Sequence, residues 1–312
     1  WGAPGWVAFL TTDGLRYGAD LPVRPSPLAA WRDGPVISPY LRALKQQRAV
    51  IVAIVDSRSA HLYRYAAAEL TARPDLALAA EDESGLVPST ERGMPAPAPR
   101  RALDPEHTQR RRLATFQRLA TSLAARLTEL AGDDAWILIG GAPRWAQLAS
   151  EGLPASLASR TMVSKTLDHD APPTAIARAA RRAATALRAA HGRALVHRLI
   201  ERSGAGGRGA AGIPAVQRAL RARAVDLLMV SPEFIRVFGR EAEDAVRAAL
   251  AQGADIEVLS GDAAVQLDQH AEGLAARLRY AIDGPATSRI ASTGGGNGPR
   301  RPHLPNGGND AA

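Results

Sequence analysis

Apolar positions along the chain follow two rhythms, with a long polar stretch between them. Ala49–Val55 is an unbroken run of Ala, Val and Ile, and the residues through His61–Tyr65 then alternate, the pattern of a buried strand followed by a second one. A third strand is expected near Leu76–Ala80. After the polar stretch, Leu113, Phe116, Leu119, Leu123, Leu127 and Leu130 recur three or four residues apart, which places them on one face of a helix. AWILIGG (Ala135–Gly141) reads as a short buried strand closed by two glycines. Pro143 is placed for the first turn of another helix, and Met162–Ser164 as a further strand. Strands interleaved with helices predict a sheet with helices returning across it.

The second half repeats this grammar. Thr174–Arg202 predicts a long helix and Ile213–Arg223 a shorter one. Val225–Val230 predicts a buried strand, Pro232–Gln252 a helix ending at Gly253, Ile256–Leu259 a strand, Asp262–His270 a helical turn or two, and Leu274–Tyr280 a closing strand. Residues 1–47 offer a strand at Trp6–Leu10, a turn at Asp13–Gly14 and proline-punctuated connections, too little for a core of their own. They read as the remnant of a leading domain or a wrapping arm, and Trp1 in place of Met leaves room for sequence ahead of it. From Ser288 onward no apolar period remains, and disorder is expected. The organisation expected is therefore 1–47 as arm, 48–173 as a central α/β domain, 174–284 as a second α/β domain, and 285–312 as a disordered tail.

The polar stretch from Asp82 to Arg112 is longer than the roughly 12–15 residues that structureless loops usually reach in compact domains, which makes it the first candidate for function. Arg92, Arg100, Arg101, Arg110, Arg111 and Arg112 lie in it, and Pro88, Pro95, Pro97, Pro99 and Pro105 keep its backbone extended. Guanidinium forks on an extended arm suit phosphates, each able to hold an anion with two hydrogen bonds. The alternative is a solvated loop without a partner. Thr174–Arg202 carries Arg178, Arg181 and Arg182 among seven arginines, against Glu201 alone, and offers either a second phosphate-facing surface or a solvated connecting helix.

Composition sharpens the choice of partner. Lys and Arg total 39 against 31 acids, a net charge of +8, and an isoelectric point near 10.6 favours an anionic partner, nucleic acid first. The excess of Arg and Ala also reflects GC-rich coding, which dilutes that inference. Cysteine is absent, so disulfides and thiolate metal sites are excluded. No apolar run reaches the roughly 18 residues of a membrane span, and no secretion signal opens the chain. A cytoplasmic protein without a membrane partner is expected.

Several common chemistries fail on their motifs. Gly204, Gly206 and Gly209 match G-x-G-x-x-G but follow a helix rather than a strand, so their amides are not aimed for a dinucleotide. Gly140–Gly141 could present free amides to an anion, though a tight turn is the simpler reading. There is no Walker sequence and no G-x-S-x-G elbow. Asp168-His169-Asp170 reads as an exposed turn before Pro172 rather than a metal clip, and His61, His107, His191, His197, His270 and His303 show no metal spacing. No cofactor and no metal are expected.

The order of elements resembles one family. VDSRSAHLYRY, the long loop, the amphipathic helix, the strand ending LIGGAP, and then GGRGAAGIPAVQRALRARAVDLLMVS, AQGADIEVLSGDAA and EGLAARLRY are similar to the bacterial relatives of the archaeal and eukaryotic peptide-chain release factors. The resemblance covers roughly Arg48 to Ile282, and its C-terminal part is the more distinctive. It implies two consecutive α/β sandwich-like domains, of the release factors' central and C-terminal types. In that family the central loop reaches the peptidyl-transferase centre with a Gly-Gly-Gln tripeptide, or Gly-Ser-Gln in related peptidyl-tRNA hydrolases, and the C-terminal domain meets a translational GTPase or the ribosomal stalk base. Here Gly93 is followed by Met94, and Gln109 is the loop's glutamine. The leading segment is too short for the family's codon-reading domain.

Together these readings predict a monomeric ribosome-binding factor of the hibernation or rescue kind. It would hold rRNA and tRNA in the A site through Arg92, Arg100, Arg101, Arg110, Arg111, Arg112, Arg178, Arg181 and Arg182, without an enzymatic step. Two alternatives stand beside it. One is a peptidyl-tRNA ester hydrolase with Gln109 as its weak catalytic candidate; the other is a stress-related protein that binds RNA or another polyanion.

Overall fold

The computed structural model describes residues 5–21, 24–25, 27–77, 105–203 and 207–282. β1 (Gly5–Thr11) and β2 (Gly14–Leu21) form an antiparallel hairpin about the turn expected at Asp13–Gly14. The proline-punctuated connection that follows contains a helix, α1 (Ser38–Gln46), because Pro39 falls in its first turn, where a missing N–H removes no helical hydrogen bond.

The first α/β unit is a five-stranded sheet in the order β5-β4-β3-β6-β7. β3 (Val50–Val55), β4 (Ser59–Ala66) and β5 (Glu69–Ala77) form an antiparallel meander, and β6 (Trp136–Gly141) and β7 (Thr161–Val163) run parallel to β3. Every residue of β3 and β6 is buried, as in strands covered on both faces. Ile51, Ala53, Val55, Ile137 and Ile139 face α2 (Pro105–Ala131) and α3 (Pro143–Glu151), where Phe116, Leu119, Leu123 and Leu127 supply the stripe read from the sequence. Val50, Val52, Ile54, Trp136 and Leu138 face α5 (Pro173–Arg202) through Ile176, Ala180, Ala183 and Leu187. A single turn, α4 (Ala155–Ala158), leads into β7.

The second unit is a four-stranded sheet ordered β10-β9-β11-β8, built from β8 (Gly209–Ala211), β9 (Val225–Val230), β10 (Asp255–Val258) and β11 (Leu274–Leu278). α6 (Ile213–Arg221), α7 (Pro232–Val237) and α8 (Gly239–Ala251) cover one face; α9 (Asp262–Ala271) and the second half of α5 cover the other. The boundary expected at 173/174 thus falls at the start of one continuous helix. Ile176–Leu187 of α5 belong to the first core, Leu195, Val196 and Leu199 to the second, and Gly192 lets the helix close on α9, where an added Cβ would stand 3.1 Å from the Ala263 methyl.

Besides α1 and α4, which the sequence did not announce, three elements differ from expectation. β5 begins at Glu69 rather than near Leu76, because the hairpin turns at Ala67–Ala68 with φ of +53° and +65°, a geometry usually announced by Asn or Gly. The helix expected over Pro232–Gln252 breaks at Phe238, whose φ of −108° and ψ of 38° precede Gly239, and the Phe238 ring rests on Phe234 at 5.0 Å. β8 is a three-residue edge strand of Gly and Ala with no apolar signal. The 285–312 tail and most of the 82–112 stretch lie outside the described residues.

The two units meet at the edge of the first sheet where β3 and β6 begin. Arg48, 9% exposed, lies 2.7 Å from Asp134 and 3.1 Å from Glu257 of β10, itself 8% exposed, with its guanidinium 5.2 Å from the centre of the Trp136 ring. Lys45 of α1 reaches Asp255 at 2.8 Å. Burial pushes the Glu257 carboxyl up, against the pull of Arg48 and Lys45. His191 of α5 sets its edge against Trp136, and burial, reinforced by Arg48, Arg198 and Lys45, lowers its pKa to about 4. The start of α1 is capped from the second unit. Buried Glu243 of α8 accepts from the Ile37 amide at 2.7 Å, the Ser38 amide at 3.2 Å and the Ser38 hydroxyl.

Candidate nucleic-acid interface

The opposite edge of the first sheet, where β3, β6 and β7 end, gathers the chain's exposed chemistry. β5 also ends there, since Ala77 pairs with Ser59, so the long polar stretch leaves from this edge. α2 runs from it toward the start of β6. Its buried residues span Phe116 to Ala131, about 24 Å of helix, which already exceeds the roughly 20 Å of a six-residue strand. The turns before Phe116 therefore continue beyond the packed layer, and they carry Gln109, Arg110, Arg111 and Arg112, all exposed.

α5 starts at the same edge on the other face of the sheet, and Arg178, Arg181 and Arg182 are exposed along its first turns. The sheet thus brings two arginine groups to one edge while holding them on opposite faces, about 20 Å apart at two layer spacings. Arg92, Arg100, Arg101, Gly93 and Met94 lie outside the described residues. Farther along α5, Arg198 and Arg202 join Arg208 and Arg277 around a cleft floored by Leu195, Leu199, Leu227 and Met229; Arg277 is held by Asp226 at 2.6 Å.

The glycine pair at the end of β6 is a turn, not an anion cradle. Gly141, at φ +103°, donates its amide to the Leu167 carbonyl at 2.6 Å, and the next amide, of Ala142, goes to the Val55 carbonyl. A Cβ on Gly141 would lie 2.0 Å from the Val55 oxygen. Gly209 opens β8 after the end of α5, as its place behind a helix implied.

Asp168, His169 and Asp170 occupy an exposed turn, yet His169 has a partner that spacing did not show. Its Nε2 lies 3.2 Å from Nε2 of His61 at the start of β4. His61 Nδ1 lies 2.7 Å from Asp75 of β5, and His169 Nδ1 lies 3.9 Å from Asp56, which follows β3. Partial burial pushes Asp56 up, but the amides of Arg58 and Ser59, the Ser59 hydroxyl and the nearby His169 outweigh it and hold the carboxyl below its usual range. Among the described residues, no helix is long and apolar enough to cross a membrane.

Residues 35–185 match the model of bacterial archaeo-eukaryotic release factor family 10, a span that runs from just before α1 into the first half of α5. The match takes in the first unit and the long polar stretch but not the second unit, where the sequence resemblance was more distinctive. No curated protein sequence matches the chain. Similar solved structures include Pelota of Archaeoglobus fulgidus, at 16% identity over 80% of this chain and 70% of that one, with a TM-score of 0.41. A ribosome-bound archaeal Pelota described with ABCE1 is 14% identical over 75% of this chain and 62% of that one, with a TM-score of 0.48. Dom34 of Saccharomyces cerevisiae is 10% identical over 77% and 68%, with a TM-score of 0.48. The chain thus spans roughly two thirds of the length of these structures. Across residues 35–185, its central sheet and long polar stretch, the chain is similar to the bacterial archaeo-eukaryotic release factors.

Proposed function

We propose that the chain is a release-factor-like ribosome-binding factor that occupies the A site without cleaving the peptidyl ester, in ribosome hibernation or rescue. The observation that carries this reading is the projection of α2, with Arg110, Arg111 and Arg112, past the sheet edge from which the long polar stretch departs, within the segment that matches a release-factor family. Arg178, Arg181 and Arg182 on the other face would give the same edge a second line of phosphate contacts, and Arg92, Arg100 and Arg101 would extend the first. Phosphate binding by guanidinium groups and shape recognition are the terms by which folded RNA is held. Without Gly-Gly-Gln, the arm serves as a plug rather than a catalyst. The second unit would face a translational GTPase or the stalk base.

The test is cosedimentation with bacterial ribosomes, vacant and carrying peptidyl-tRNA, with the ester assayed in each fraction. Binding with the ester intact is expected, together with at least a tenfold loss on combining Arg110→Glu, Arg111→Glu and Arg112→Glu. Unchanged binding in that variant would sink the reading. Ester release abolished by Gln109→Ala would replace it with a peptidyl-tRNA hydrolase, and equal, salt-sensitive binding to any RNA with a stress-related polyanion-binding protein.

A further inference from the structure

Each of the two facing imidazoles, His61 and His169, has a carboxylate behind it. The 2.7 Å contact between His61 Nδ1 and Asp75 requires the hydrogen on Nδ1, which leaves a lone pair on Nε2. Asp56, 3.9 Å from His169 Nδ1, favours a hydrogen on that nitrogen too. Two lone pairs then face each other across 3.2 Å, with ring centres 4.6 Å apart. Such a pair repels unless a cation joins it.

The spacing suits a metal ion as well as a shared proton. Two nitrogens on a tetrahedral ion, each at about 2.0–2.1 Å, stand about 3.3 Å from one another. A carboxylate hydrogen-bonded to the outer nitrogen, as Asp75 is to that of His61, is also the arrangement that fixes the tautomer and orientation of metal-binding histidines; Asp56 stands 3.9 Å from the outer nitrogen of His169.

We propose that His61 and His169 form a binding site for a divalent transition-metal ion of the zinc class, with Asp75 and Asp56 as positioning residues. Imidazole donors suit zinc, copper or nickel rather than magnesium or calcium. No third side chain among the described residues completes a metal-binding group, so water or an anionic oxygen of a bound molecule takes the remaining positions. The side chains of both histidines are accessible, at 31% and 40% exposed, and they stand at the edge where the long polar stretch begins. A cation placed there would add to the attraction that this edge exerts on phosphates.

Isothermal titration of the full chain with Zn²⁺ at pH 7.5 tests the site, with Co²⁺ absorption as a second readout. One equivalent is expected to bind and to be removed by chelator, with tetrahedral cobalt bands. His61→Ala or His169→Ala should each weaken binding more than tenfold, and Asp75→Asn by about 10–100-fold, the usual effect of removing an outer-shell carboxylate. Both histidines are partly exposed, and circular dichroism confirms that the variants fold. Zn²⁺ affinity unchanged in the His61→Ala/His169→Ala double variant, or absence of cobalt bands in the parent chain, overturns the proposal and leaves the pair sharing a proton.

Discussion

Replacing Arg48 by Met tests what holds the two units together. Arg48 and Glu257 are 9% and 8% exposed and 3.1 Å apart, so their attraction, taken at an effective dielectric of 20, is about 5 kcal/mol before the cost of burying both charges. Most of that is offset by lost hydration, and the pair as such adds little net stability. Breaking it is another matter. Without Arg48, the buried Glu257 keeps Lys45, 3.8 Å away and itself partly exposed, and the charge of Arg188 nearby, and a cost of about 3 kcal/mol follows. The Asp134 contact adds no more than about 0.5 kcal/mol, because that carboxylate is 67% exposed. Arg48→Met/Glu257→Leu, by contrast, should return to within about 1 kcal/mol of the parent, so the two single costs fail to add by at least about 2 kcal/mol. Urea denaturation at pH 7, followed by circular dichroism, measures all four corners of the cycle. Additive costs, or a single-variant cost below about 1 kcal/mol, would refute the claim that this pair is a matched, buried joint.

His191, with its pKa lowered to about 4, stays neutral in the folded chain while the unfolded chain takes up a proton near pH 6.5. Stability is therefore complete above pH 6.5 and declines as pH falls toward 4; the full shift is worth about 3 kcal/mol, reduced to about 1–2 for a ring that water partly reaches. Glu257, raised by burial, works in the opposite sense, so the informative quantity is a difference: between pH 7 and 4.5 the parent should lose about 1 kcal/mol more than His191→Phe in urea titrations, and equal losses would contradict the assignment. At the Ala67–Ala68 turn, Ala67→Asn/Ala68→Gly relieves two non-glycine residues of positive φ and should stabilise the chain by about 1 kcal/mol, read as a rise in the urea midpoint; a fall would mean the turn is not the left-handed type.

The strands with continuous apolar runs were legible from sequence because burial on both faces leaves no polar position to confuse them. β3, β6 and β9 appear where VIVAIV, WILIGG and VDLLMV predicted, and the α2 stripe is the one that meets the sheet. What escaped had no local signal. Ala67 and Ala68 adopt a glycine-like turn with no residue to mark it, and α1 takes its cap from Glu243, more than two hundred residues away. The site divides in the same way. The arginines of α2 and α5 announced themselves by composition, and topology explains why they share an edge. The His61–His169 pair was invisible, because its members lie 108 residues apart and only the return of the chain after β7 brings them together.

The shared helix α5 decides where this protein can be divided. A fragment ended at residue 173 would strip one cover from the central sheet and leave Val50, Val52, Ile54, Trp136 and Leu138 facing water. Exposing five such side chains costs on the order of 10 kcal/mol, comparable to the entire stability of an ordinary domain. Leu195, Val196 and Leu199 stand in the same relation to the second sheet. Within α5, a cut around Ala189–Gly192, between the two sets of buried residues, leaves each sheet its own part of that helix, though α1, which packs on the second core through Ile37 and Leu41, would still go with the first fragment. The family match ends nearby, at residue 185, just short of Leu187, the last residue of the helix that the first core claims.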